Sequence, residues 1–160
     1  MKKNYRPEKI NDFTNEQRRA GELDENEGKL LFLVPLVQVA WAHGAISPRE
    51  RQLIFEAARI EGIDARDALN DRLADWLINQ PSRKFFDDCL QLINDKLLQM
   101  TVKEREERKA EILAFGTRVA ASAGGKSLMD IEHHISPEEH ETLGEISAVM
   151  NQRPRASAFE

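Results

Sequence analysis

Side chains that can ligate a metal or move a proton gather in two places along this 160-residue chain. One is the corner His43-Gly44-Ala45-Ile46-Ser47-Pro48-Arg49-Glu50; the other runs from Asp130 through Glu132, His133 and His134 to Glu139 and His140. Imidazole mixed with carboxylate suits divalent transition ions such as zinc, which takes nitrogen, sulfur and carboxylate ligands. The candidate metal ligands are therefore His43, Glu50, Asp130, His133, His134 and Glu139. Spacing alone does not assemble them, and the long loop around His133 and His134 is the better of the two places to look. Each residue also has a plainer role open to it. Glu50 and Glu139 stand where the second half of a helix-starting capping box belongs, and His43 lies at a helix C-terminus, where the backbone dipole favours positive charge.

Other chemistry is argued down by context. Ala120-Ala121-Ser122-Ala123-Gly124-Gly125-Lys126-Ser127 has the outline of a phosphate-binding loop. Such a loop follows a strand and opens a helix, whereas this stretch follows a helical pattern. The single cysteine, Cys89, lies on an apolar helical stripe with Phe85, Phe86, Leu90 and Ile93, where a thiol is deactivated by burial. The carboxylates of residues 104–111 alternate with Arg and Lys, as on a solvated helix face. Nothing nominates a reaction, and the chain reads as a binding module without enzymatic activity.

The elements that must position these groups are helices, because no segment alternates polar and apolar residues for more than a few positions. Residues 1–23 form a polar, partly helical arm. A strongly apolar helix follows to Ala42, and Pro35 should kink it. His43-Gly44 closes it, and Ser47-Pro48-Arg49-Glu50 opens the next, which ends at Gly62. Asp64 is expected to cap a third helix carrying Leu69, Leu73, Trp76 and Leu77. Pro81-Ser82 then opens a fourth to about Met100, with Thr101 and Glu104 starting a fifth. After a loop, Ser136-Pro137-Glu138-Glu139 opens a last helix. The folded unit spans residues 24–150, and 151–160 is a tail.

The end of one apolar helix, a Gly-containing corner and Ile-Ser-Pro-x-Glu occur twice, at Ile46 to Glu50 and Ile135 to Glu139. The predicted fold is a single all-α bundle of about six or seven helices, built from two related helical hairpins. The first corner resembles the signature of the tellurite-resistance TerB family: Gly44, Ile46, Ser47 and Glu50 match, while His43 stands where that family usually has Asp. The resemblance implies an all-helical domain covering nearly everything after the arm, a divalent metal site at the corners and a link to tellurite and other chemical stress. It also implies a protein partner within a membrane-associated complex, and it brings no catalytic activity. The alternative is a homo-oligomeric helical protein, such as a homodimer, without metal.

Composition bounds the rest. Hydrophobic residues at 41% and charged residues at 32% are a globular balance. A net charge of -5 gives no general attraction to phosphate backbones, so nucleic acid is not an expected partner. The N-terminus lacks the apolar stretch of a secretory signal, and Leu30 to Ala42 is shorter than the roughly 20 residues of a membrane span. A cytoplasmic protein without direct membrane insertion is the expectation.

Overall fold

Pro35 divides the most apolar run of the chain. Without an N–H it cannot bond back one turn, and its ring crowds the carbonyl there. The computed structural model, which describes residues 25–122 and 135–152, therefore shows two helices where one kinked helix was expected: α1 (Glu25–Leu31) and α2 (Val34–Trp41). Phe32 and Leu33 form a turn between them, and Pro35 sits in the first turn of α2, where a missing donor costs least. Five further helices follow: α3 (Pro48–Ile60), α4 (Ala68–Ile78), α5 (Arg83–Leu98), α6 (Val102–Ser122) and α7 (Pro137–Met150). Among the described residues there is no strand, and the architecture is an all-α bundle.

α2 is the axis of this bundle. Every residue from Val34 to Ala40 is buried, and α3, α5, α6 and α7 all pack on it. A helix buried around its whole circumference must be wrapped by others, each of which offers one apolar stripe. On α4 the stripe is Leu69, Leu73, Trp76 and Leu77; on α5 it includes Phe85, Phe86, Cys89, Leu90, Ile93 and Leu97. The Trp76 and Phe85 rings meet at 5.3 Å in a tilted pair. Burial, and secondarily the charge of Asp88, pushes the Cys89 thiol well above its ordinary pKa, with Arg72 partly opposing, so it is an inert core residue.

The helix ends follow from local hydrogen bonds. Ser47, Ser82 and Ser136 each accept from the backbone N–H three residues on, and Thr101 and Glu104 cap reciprocally at the start of α6. Asp67, not Asp64, caps α4, accepting from the Leu69 N–H at 3.0 Å. Asp64 instead shapes the preceding turn, accepting from the Arg66 N–H. Both aspartates suit a turn, and the first satisfied one lies a few residues short of the helix.

Gly62 ends α3 at φ +95°, with the Gly62 N–H donating to the Arg59 carbonyl and the Ile63 N–H to the Ala58 carbonyl. This pattern requires a left-handed residue, and it delivers Ile63 into the core at 1% exposure. Gly62→Ala is expected to cost about 1–2 kcal/mol and lower Tm by roughly 2–8 °C, with Gly62→Asn milder. Thermal melts check this, and an unchanged Tm for the alanine variant would remove the conformational argument.

Candidate metal centre

The end of α2 and the starts of α3 and α7 converge on one spot. Trp41 fixes the first, since its Nε1–H donates to the Trp76 carbonyl at 2.8 Å and ties α2 to α4. His43 follows just past the helix end, with 31% of its side chain exposed. Gly44 then turns the chain at φ +94°, where a side chain would have open space but a strained backbone. Ile46 is half-buried against the core and leads into Ser47, whose extended backbone starts α3. The second corner repeats these parts. Ile135 packs on the core and Ser136 starts α7 with nearly the same backbone angles.

Each start is a complete capping box. The Ser47 N–H donates to Glu50 Oε1 at 2.7 Å while Ser47 Oγ accepts from the Glu50 N–H at 3.1 Å. The Ser136 N–H donates to Glu139 Oε1 at 2.8 Å, and Ser136 Oγ accepts from the Glu139 N–H at 3.1 Å. A capping glutamate ordinarily lies at the surface. These two are 0% exposed, and the Oε2 atom of each is buried without a hydrogen-bond partner. A buried carboxylate oxygen left in this way costs about 1–3 kcal/mol.

The two carboxylates and the imidazole face one another. One ligand atom each from His43, Glu50 and Glu139 can be chosen so that all lie within 4.8 Å of one another, and His43 Nε2 is 3.5 Å from Glu139 Oε2. Burial holds the Glu50 carboxyl above its ordinary pKa and the charge of Glu139 adds to this, while Ser47 and His43 pull the other way. The chemistry of the donor set fits a divalent ion. Two carboxylates and a neutral imidazole would balance its charge, and the open edge at His43 gives it a way in.

Of the candidates named from sequence, the structure brings together His43, Glu50 and Glu139. Asp130, His133 and His134 lie outside the described residues, as does Glu132. His140, beside Glu139, is exposed and stands apart from the cluster. Away from this cluster, a concavity of about 300 Å³ between α3 and α6 is lined by Phe32, Leu36, Ile60, Arg108 and Phe115 among others. Its charges satisfy one another. Arg108 grips both oxygens of Glu61 at 2.6 and 2.7 Å, bonds Glu111 at 3.1 Å and lies 4.4 Å from the centre of the Phe32 ring. Burial works against the Arg108 charge, but Glu61 and Glu111 outweigh it and hold the guanidinium protonated.

A raised carboxyl pKa means that the folded protein binds this proton more tightly than the unfolded chain does. The Glu50 contribution to stability is therefore fullest below the ordinary value of 4.5 and is lost as pH rises through the raised one. In metal-free buffer at pH 7, Glu50→Gln should be more stable than the wild type by on the order of 1 kcal/mol, or roughly 2–4 °C in Tm. That advantage should shrink as pH falls toward about 5. A variant that melts below the wild type throughout this range would contradict the burial argument.

No protein-family model, no curated protein and no solved structure matches the chain.

Proposed function

We propose that this chain is a non-enzymatic, cytoplasmic TerB-like module that holds one divalent transition-metal ion between His43, Glu50 and Glu139. Through that corner it engages a protein partner in a response to tellurite or other chemical stress. The observation that carries the metal site is the pair of Oε2 atoms, each fully buried and each without a hydrogen bond, on two carboxylates that cluster with an imidazole. Evolution has cheaper ways to start a helix. A capping box needs one carboxylate oxygen at the surface, and two such boxes set against each other below the surface leave two buried acceptors that make no hydrogen bond.

The TerB-like reading is supported by the role each matching residue takes. Gly44 makes the turn, Ile46 anchors the corner, Ser47 caps α3 and Glu50 reaches inward. The likeness of the two corners in sequence and cap geometry supports a bundle of two related hairpins. His43 in place of Asp shifts the donor set toward nitrogen, which favours zinc over the harder calcium or magnesium. With three protein ligands, a tetrahedral zinc keeps a fourth position open. A donor from the partner, entering by the exposed His43 edge, would fill it.

Isothermal titration calorimetry and thermal melts with zinc, manganese and calcium test the site. One zinc per chain is expected, binding more tightly than manganese. At 100 times Kd the stabilisation would be about 2.7 kcal/mol, which is roughly 5–11 °C in Tm. Glu50→Gln, Glu139→Gln and His43→Ala should each remove most of the heat. No heat and no Tm shift with any of the three ions eliminates the site, and zinc binding that survives all three substitutions places it elsewhere.

A further inference from the structure

The three ligands of the site are not equally well anchored. Glu50 stands on α3, which buries Leu53, Ile54, Ala57 and Ala58 immediately after it. His43 follows α2, which is buried from Val34 to Ala40 and pinned at its end by Trp41. Glu139 stands on α7, whose buried residues are Glu139, Ile146 and Met150. The two apolar ones lie in the C-terminal half, and that end is also held by Lys109, whose Nζ donates to Asn151 Oδ1 at 2.8 Å. In the N-terminal half, Leu143 is half-buried over Gly116 of α6, and the sole fully buried residue is the carboxylate that faces Glu50.

We propose that ion occupancy of this site controls the docking of the N-terminal half of α7, so that the bundle has a metal-operated clasp at one end of one helix. The inference rests on the metal-site reading. A ligand that needs His43, Glu50 and Glu139 together binds the docked arrangement alone, and it shifts population toward that arrangement in proportion to its differential affinity. Two of the three ligands belong to elements that their own apolar contacts hold in place. The shift therefore falls on the third. Without the ion, the first two turns of α7 are held by Leu143 and by the 3.5 Å approach of Glu139 Oε2 to His43 Nε2, against a pair of buried carboxylates with no hydrogen bond between them. With the ion, those same carboxylates become the attachment.

Hydrogen–deuterium exchange of the full chain, with peptide-level readout, tests the clasp while calorimetry on the same samples tests the site. In EDTA, amides in the first two turns of α7 are expected to exchange at least about tenfold faster than those of α3 and α5, as a locally opening segment does. Zinc at 100 times Kd should slow them by up to about 100-fold and close that gap. Glu50→Gln and His43→Ala should each abolish the effect of zinc on α7; the second removes a half-exposed side chain and leaves the core intact. If calorimetry registers zinc while α7 is already as protected as α3 and α5 in EDTA, or if zinc slows all three equally, the clasp is wrong and the site stands. If calorimetry registers no zinc, both fall.

Discussion

Glu50 and Glu139 each do two things with one carboxylate. The first oxygen satisfies the backbone at the start of a helix, and this fixes the side chain so closely that the second oxygen has no freedom to seek water. Because the two helix starts meet, their carboxylates lie close to each other, and the second oxygen of each is shut away from solvent. Burying two like-charged groups is among the more costly arrangements available to a small domain, and it persists here because the capping bonds and the surrounding apolar contacts hold it. The corner geometry, the exposure of His43 and the weak anchoring of α7 all take their meaning from this constraint.

The rest of the bundle positions that pair. α2 is enclosed on all sides, so it acts as a rigid axis, and the bond from Trp41 to the Trp76 carbonyl fixes where the axis ends. α3 departs from that end after a short corner, and α6 and α7 also pack on the axis. Gly116 lets them approach: a Cβ there would come within 2.9 Å of Leu143 Cδ2. At the other end of α3, Arg108 clamps Glu61 across the α3–α6 seam. Nonadjacent segments of chain thus meet at the site through packing settled elsewhere.

Local structure was largely legible in the sequence, since caps and breakers act within a few residues. Ser47, Ser82, Thr101 and Ser136 start helices where their hydroxyls announce them, and Gly62 stops one where its backbone freedom does. Errors arose where two local signals compete. Asp64 and Asp67 both suit a turn, and the nearer one takes the cap. Pro35 divides its helix outright, because a first-turn position spares it the clash that an interior one would impose. The site was half legible. Its residue types and the doubled Ile-Ser-Pro-x-Glu corner are visible in the chain, but the meeting of the two corners depends on how α2, α6 and α7 cross, which no spacing encodes. Capping and ligation look like rival explanations of a glutamate until its two oxygens are considered separately.

Cys89 is the single sulfhydryl of the chain, and it is walled into the centre of α5 at 0% exposure. A fluorophore or spin label delivered by thiol chemistry would thus ignore the native protein. A cysteine introduced at any surface position would be labelled alone, without first replacing the natural one and disturbing the core it belongs to.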